Sequence, residues 1–290
     1  MESTINPQTI REKKEYSSRF STGQVTSADG TIIGYRQIGI GPGLLVLHGG
    51  ARAGHHYVRL AQALADAFTV YLPDRRGRGL SGPAGENYSL QKELEDVSAL
   101  LEQTGAQFIF GHSAGGFFAL EAAVTLKVPI TKLVLYEPAV SINGSLPLGW
   151  LPRFEAALGR KDYVTAVVIF FKGLSLNSLS RVPDWILSPF VRIILRGEEG
   201  QELIDLLPTF VREVKEFQRS GLSYERYQNI TAKTLLFGGA RSPDYLRQGI
   251  RTLAKIIPQS WLIELPKLDH NSPDQNAPEV VASELKEFFA

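Results

Sequence analysis

The sequence predicts an α/β protein built on a mostly parallel, doubly wound β-sheet with a helical unit inserted into it. Short apolar runs alternate with segments of helical periodicity in the first and last parts of the chain, which is typical of parallel sheets covered by helices. Between these parts the alternation stops, and prolines separate helix-like segments rich in aromatic residues. The expected organisation is an N-terminal arm at 1–24, a core at 25–141 and 232–290, and a helical cap insertion at 142–231.

The core elements follow in order along the chain. An antiparallel pair is predicted over 25–39, because Asp29-Gly30 is a hairpin turn sequence between two extended runs. The later runs are almost wholly apolar, as expected for strands covered on both faces. These predicted strands are 44–47, 68–72, 108–110, 132–136, 234–237 and 261–265. The predicted helices are 56–67, 89–103 with Ser89 as N-cap, 114–126, 244–256 and 278–289.

Composition excludes several classes of function. The chain of 290 residues carries 31 basic and 30 acidic side chains without a basic run, so we expect no nucleic-acid partner. With no cysteine, it has no disulfide, thiolate metal site or cysteine nucleophile. No apolar run is as long as a membrane span, and the polar N-terminus does not resemble a secretory signal. A cytoplasmic protein is therefore expected.

One pentapeptide carries a specific chemical signal. Gly111-His112-Ser113-Ala114-Gly115 has the form G-x-S-x-G, and it lies where a predicted strand ends and a predicted helix begins. A serine on such a sharp turn stands clear of the sheet, and flanking glycines let the backbone approach closely. The helix that begins at Ala114 also directs its positive N-terminal dipole toward a developing negative charge.

Further motifs make the chain resemble the α/β-hydrolase superfamily. His48-Gly49-Gly50 follows the third predicted strand, as the family's oxyanion loop does. Residues 74–81 match its D-x-R-G-x-G-x-S turn, and Leu268-Asp269-His270 follows the last strand, where the family has its catalytic histidine. The resemblance covers about 25–141 and 232–290, and the segment between corresponds to the family's variable helical cap.

The resemblance implies a set of site residues. Ser113 is the expected nucleophile and His270 the expected general base, since an imidazole can take up and return a proton near neutral pH. Backbone N–H groups of Gly50 and Ala114 are expected to form the oxyanion hole, with Ala51 as the next candidate to Gly50.

Other conspicuous residues are interpreted as structural. His48 is expected to order the oxyanion loop, and His112 to be a packing residue beside the serine. His55 and His56 are interpreted as surface histidines. Asp74 is expected to hold its turn rather than to act as an acid.

The acid that supports His270 departs from the family pattern. The family usually has an aspartate after the strand that follows the cap, but Ser242 occupies that position here. Two carboxylates remain. We favour Glu137, directly after the strand 132–136, where some haloalkane dehalogenases keep their acid; Asp244 is the alternative, although it is expected to begin a helix. Asp269 is disfavoured because adjacent side chains on a loop usually diverge.

A serine nucleophile favours acyl transfer, and we expect hydrolysis of an ester or lactone through an acyl-enzyme. Alternatives are a C–C bond hydrolase, a hydroxynitrile lyase, a cofactor-free haloperoxidase-like enzyme, or a non-catalytic small-molecule receptor of the same fold. We expect no cofactor and no metal. The substrate is expected to be a small, largely apolar acyl compound, and a homodimer is left open. An apolar chamber over Ser113 is expected from the cap aromatics Trp150, Phe154, Phe170, Phe171, Trp185 and Phe190.

Overall fold

An eight-stranded sheet forms the centre of the computed structural model, which describes residues 20–142, 144–175, 181–220 and 224–290. Its strand order is β1-β2-β4-β3-β5-β6-β7-β8. β2 pairs antiparallel with β1 and β4, and the remaining pairs are parallel. The strands are β1 Ser21–Thr26, β2 Ile32–Ile38, β3 Gly43–Leu47, β4 Thr69–Pro73, β5 Phe108–His112, β6 Lys132–Tyr136, β7 Lys233–Gly239 and β8 Ser260–Leu265.

Helices cover both faces of this sheet. In the described ranges they are α1 Val58–Leu64, α2 Leu90–Thr104, α3 Ala114–Thr125, α4 Leu151–Gly159, α5 Tyr163–Leu174, α6 Asp184–Ile194, α7 Glu198–Ser220, α8 Asp244–Ile256 and α9 Pro278–Phe289. Short 3₁₀ segments lie at Gly54–Tyr57 and Tyr224–Asn229, and a π-helical turn lies at Ser272–Asn276. We call α4–α7, which lie between β6 and β7 in the chain, the cap helices.

The predicted α/β class with its mostly parallel, doubly covered sheet is confirmed. β3 shows why its apolar run gave a correct prediction: Leu44 and Val46 belong to one buried cluster, and Leu45 and Leu47 belong to another. Both faces of the strand are therefore packed, which requires apolar side chains at every position. No helix in the part of the chain described has the combined length and hydropathy of a bilayer-crossing segment.

The predicted arm 1–24 needs a correction at its end. Ser21–Thr26 forms β1, and Ser21 lies opposite Gln37 of β2. Ser, Thr and Gly at this edge strand hid it from a pattern search, because an exposed edge is held by backbone hydrogen bonds and needs few apolar side chains. Residues 1–19 lie outside the described residues.

Some helix ends differ by one or more residues from the prediction. The segment predicted as one helix over 56–67 is a 3₁₀ segment followed by the short α1. For α2 the expected cap is present, since Ser89 Oγ accepts a hydrogen bond from Lys92 N at 3.4 Å. Gly105 ends that helix with φ +66°, a left-handed conformation that glycine adopts without a Cβ clash.

The carboxyl ends of the parallel strands position the candidate site. β3, β5, β6, β7 and β8 all run in the same direction, so the loops that follow them meet at one edge of the sheet. The chain leaves the sheet at this edge after β6, forms the cap helices, and re-enters the sheet at the start of β7. The motifs after β3, β5, β6 and β8 are thereby brought together beneath the cap helices.

Candidate active site

Ser113 occupies a strained turn between β5 and α3. Its backbone has φ +53° and ψ −115°, a region that side chains other than glycine rarely occupy. Three backbone hydrogen bonds fix this geometry: Ser113 N donates to Tyr136 O at 3.0 Å, and Ser113 O accepts from Phe117 N at 3.0 Å and Ala139 N at 2.9 Å. The backbone of Ser113 is thus held by β6, by the loop that follows β6 and by α3.

The glycines of G-x-S-x-G are required by close backbone approach. A Cβ on Gly115 would lie 2.1 Å from Leu47 O, and one on Gly111 would lie 2.6 Å from Gly115 O. A larger residue at position 115 would push the turn away from β3, and one at position 111 would push the first turns of α3 away from β5. The motif therefore has a steric basis in this fold.

His270 lies in the same cavity as Ser113, and its ring is held by a buried carboxylate. Nδ1 of His270 is 2.7 Å from Glu137 Oε2. The other oxygen, Oε1, accepts a hydrogen bond from Gly239 N at 2.8 Å. The Glu137 side chain is fully buried and that of His270 is 8% exposed, so the pair is shielded from water. Each oxygen of this buried carboxylate therefore has a hydrogen-bond partner.

Sheet order explains how Glu137 reaches the histidine. β6 lies between β5, which ends at the serine turn, and β7, which is next to β8 and the His270 loop. Glu137 follows β6 with φ +44°, so its side chain turns toward the end of β7. Gly238 leaves room for it, because a Cβ there would lie 2.8 Å from Glu137 Oε1.

The other acid candidates are engaged elsewhere. Asp244 begins α8, its side chain is 83% exposed, and it pairs with Arg247 at 3.2 Å. Asp269 accepts hydrogen bonds from Asn271 N and from the Asn276 amide, so it holds the turn that follows His270. Ser242, at the usual aspartate position, is buried, and its hydroxyl has no hydrogen-bond partner among the described residues.

The expected oxyanion donors line the cavity beside Ser113. Gly50, Ala51 and Ala114 all border it, and their backbone N–H groups meet no acceptor in the portion of the chain that the structure describes. Ala51 has φ +51°, which sharpens the loop after β3. Free N–H groups at the first residue of α3 and on the facing loop are suited to binding an oxyanion.

His48 and His112, which lie near the cavity, make different contacts. His48 orders the loop as expected: Nδ1 lies 2.9 Å from Gly49 O, and Nε2 accepts from Arg75 N at 3.1 Å. His112 is buried with Nδ1 2.5 Å from Tyr57 Oη. Burial, followed by the nearby His270, lowers the pKa of His112 well below its usual value of 6.5, so this ring is neutral near pH 7.

Asp74 holds its turn rather than entering the cavity. Its carboxylate accepts from Gly54 N at 2.7 Å and Leu80 N at 2.8 Å and pairs with Arg36 at 2.8 Å. His55 and His56 are partly exposed, as interpreted from the sequence, but both rings face Glu202 of α7.

The cavity over Ser113 has a volume of about 300 Å³. The expected chamber is correct in part: Trp150, Phe170 and Phe171 line it. Phe154 is buried within the cap packing instead. The prediction is wrong for Trp185 and Phe190, which lie on the outer side of α6. These two residues are 77% and 63% exposed to solvent.

Several residues that line the cavity over Ser113 were not predicted from the sequence. Phe210, Val214 and Phe217 of α7 form an apolar stripe over the cavity, and their spacing by four and three residues is a helical signal present in the sequence. Arg52 and Asp274 also line it and form an ion pair at 2.7 Å. No sequence pattern marks that pair, since its members are distant along the chain.

A model of the alpha/beta hydrolase family matches residues 44–284. The dihydrolipoyllysine-residue acetyltransferase component of the acetoin cleaving system of Cupriavidus necator is 27% identical over 164 residues, which are 56% of this chain and 44% of that protein. The chain thus spans less than half the length of that relative. The 2-(acetamidomethylene)succinate hydrolase of Mesorhizobium japonicum is 23% identical over 280 residues, covering 94% of this chain and 95% of that protein.

Among solved structures, an alpha/beta hydrolase from Sphaerobacter thermophilus has a TM-score of 0.76 to this chain at 28% identity. The match covers 92% of this chain and 100% of that one.

Proposed function

The chain belongs to the alpha/beta hydrolase family, and from this premise we propose that it is a serine hydrolase that cleaves an ester or lactone. Ser113 is the nucleophile, His270 the general base and Glu137 the acid that supports it. Gly50 and Ala114, with Ala51 next to Gly50, supply the oxyanion hole.

One observation carries this proposal: the contact of His270 Nδ1 with the buried Glu137 carboxylate at 2.7 Å. With its Nδ1 proton donated to Glu137, the ring presents the lone pair of Nε2 on its opposite side. A neutral imidazole in this tautomer can accept the Ser113 proton, and the carboxylate then stabilises the imidazolium that forms. A receptor that only binds a ligand has no need of a buried acid–imidazole pair beside a strained serine.

The reaction proceeds in two steps. His270 takes the hydroxyl proton as Ser113 Oγ attacks the acyl carbon, and the backbone N–H groups hold the resulting oxyanion. Collapse breaks the bond to the alkoxy oxygen, which receives the proton from His270. Water then enters, gives its proton to His270 and attacks the acyl-enzyme. The proton returns to Ser113 as the carboxylic acid leaves.

The rival reactions use similar machinery. A C–C bond hydrolase, a hydroxynitrile lyase and a haloperoxidase-like enzyme differ from an esterase in what the cavity selects. The full-length relative from Mesorhizobium is named for hydrolysis of 2-(acetamidomethylene)succinate. The aromatic wall formed by Trp150 and by residues of α5 and α7 supports a largely apolar acyl group, whereas the Arg52–Asp274 pair provides a polar border.

Burst kinetics test the proposal. Mixing the protein with a p-nitrophenyl ester of a short acid should release about one p-nitrophenol per chain in a burst, followed by slower turnover. Ser113→Ala should abolish both phases and retain the wild-type Tm within a few degrees. A panel of lactones and C–C bond substrates then identifies the bond cleaved. Retention of intact esters without turnover by the wild type would favour the receptor alternative instead.

A further inference from the structure

A second group of side chains, all of types that can bind a metal ion, lies outside the proposed hydrolytic site. His55, His56 and Glu202 offer one ligand atom each, and these atoms all lie within 4.8 Å of one another. His55 Nε2 is 3.1 Å from Glu202 Oε1, and His56 Nε2 is 3.9 Å from Glu202 Oε2. Two imidazoles thus converge on one carboxylate.

The three residues come from two separate parts of the fold. His55 and His56 lie on the 3₁₀ segment Gly54–Tyr57, which follows the oxyanion loop, and Glu202 lies on α7. Arg52 and Leu203, their near neighbours in the chain, both line the cavity. The group therefore joins the core to a cap helix close to the cavity rim.

We propose that His55, His56 and Glu202 form a binding site for a divalent first-row transition-metal ion, with Zn²⁺ as the best fit. Imidazole nitrogen and carboxylate oxygen are established zinc ligands, and two histidines with one carboxylate leave a fourth position open to water.

The distances suit such an ion. Zinc binds nitrogen and oxygen at about 2.0–2.2 Å, so neighbouring ligand atoms in a tetrahedral site are about 3.4 Å apart. The imidazole–carboxylate separations are 3.1 Å to Oε1 and 3.9 Å to Oε2, on either side of that value, and the three ligand atoms all lie within 4.8 Å of one another. The three side chains are partly exposed, so they have room to rotate toward an ion.

The neighbourhood also orients the rings. The His55 and His56 rings face each other, with centroids 4.1 Å apart and an interplanar angle of 32°, and the Nε2 atom of each ring lies near the Glu202 carboxylate. His56 Nδ1 accepts from Ala53 N at 3.1 Å in the tautomer with the proton on Nε2, and it also lies 3.3 Å from Ala53 O. In the tautomer with the proton on Nδ1, that carbonyl accepts it and the Nε2 lone pair is directed to the ion, as in many histidine-ligated sites.

An ordinary surface ion pair between His55 and Glu202 requires no second histidine. The convergence of His56 on the other carboxylate oxygen distinguishes a ligand set from a pair. A bound ion would connect α7 to the segment after the oxyanion loop. Because the ion would bind the folded state in preference to the unfolded chain, saturating Zn²⁺ should raise the Tm by about 5 °C.

Isothermal titration calorimetry on the untagged, EDTA-treated full chain tests the site, with ZnCl₂ as titrant and MgCl₂ as the hard-ion comparison. The expected result is about one Zn²⁺ per chain and no Mg²⁺ uptake. His55→Ala and Glu202→Gln should each weaken Zn²⁺ binding by about tenfold or more and reduce the Tm rise.

Two controls separate this site from other sources of zinc binding. Glu279→Gln alters an exposed carboxylate that pairs with Arg59, and it should bind Zn²⁺ as the wild type does. Ser113→Ala should also bind Zn²⁺ normally, so the result does not depend on the proposed hydrolysis. Absence of saturable Zn²⁺ binding, or equal binding by His55→Ala, Glu202→Gln and wild type, would overturn the proposal.

Discussion

At the scale of single residues, Glu137 is the side chain on which the proposed chemistry depends most. Its carboxylate receives Gly239 N and His270 Nδ1, and it is wholly buried. Removing its charge leaves the imidazole without a partner for the positive charge that develops during acyl transfer. The same fold offers a matched exposed carboxylate in Asp244.

Glu137→Gln should lower kcat/KM by about a thousandfold or more, because the amide cannot stabilise the imidazolium and can impose the wrong tautomer. Asp244→Asn should change kcat/KM by less than about threefold, since its side chain is mostly exposed and pairs only with Arg247. Steady-state kinetics on one ester, with thermal unfolding to verify the fold, measure both. A larger loss for Asp244→Asn would assign the acid to Asp244, and equal losses would contradict Glu137 as the single acid.

His112 yields a pH prediction at the same scale. Because burial keeps it neutral in the folded protein, only the unfolded chain takes up its proton below about pH 6.5. His112 therefore costs stability as the pH falls. The difference in unfolding free energy between wild type and His112→Gln should shift by about 2 kcal/mol against the wild type between about pH 7 and pH 5.

Urea unfolding of both proteins at the two pH values measures that shift. Because both proteins carry the same carboxylates, the effect of carboxylate titration cancels in the difference between their unfolding free energies. A difference that stays constant with pH would show that His112 titrates alike in the folded and unfolded chains.

At the scale of secondary-structure elements, α7 links the cap helices to the core through a buried charge cluster. Glu213 is fully buried and pairs with both Arg75 and Arg78 from the turn after β4. Burial opposes the charge of Arg75, but Glu213 and Glu93 outweigh that effect and raise its pKa. The turn motif at 74–81 thus binds the cap as well as shaping the sheet edge.

Glu213→Gln should lower the unfolding free energy by about 3–5 kcal/mol, because it leaves two arginines buried without their shared carboxylate. Lys215→Gln on the same helix is the control: Lys215 is 50% exposed and pairs with Glu155, so its loss should cost less than about 1 kcal/mol. Denaturant unfolding measures both. Similar costs for the two variants would show that the buried cluster does not anchor α7.

At the scale of the whole molecule, sequence patterns predicted correctly those strands and helices whose bounds depend on local patterns of buried side chains. The strand Lys132–Tyr136 and the helices Asp244–Ile256 and Pro278–Phe289 have the predicted bounds, because apolar periodicity and flanking prolines mark their ends. The local sequence could not show that Trp185 and Phe190 lie outside the cavity. The residue type of an aromatic side chain on a helix does not indicate whether that side chain faces the cavity or the solvent.

Sheet order determined the rest of the site. Proximity of Glu137 to His270 depends on β6 lying between β5 and β7 and on glycine at 238, and neither relation is local in sequence. The resemblance to a known family supplied the arrangement that made Glu137 a candidate. The Arg52–Asp274 pair and the His55–His56–Glu202 group had no such guide, because each is formed by residues far apart in the chain.

Covalent labelling by a fluorophosphonate tests most directly the central claim that Ser113 is an activated nucleophile. The wild type should gain the mass of one adduct, and peptide mapping should locate it on Ser113. Ser113→Ala should remain unlabelled, and Glu137→Gln should react much more slowly at the same pH. An unreactive wild type, or an adduct on any residue other than Ser113, would contradict the account.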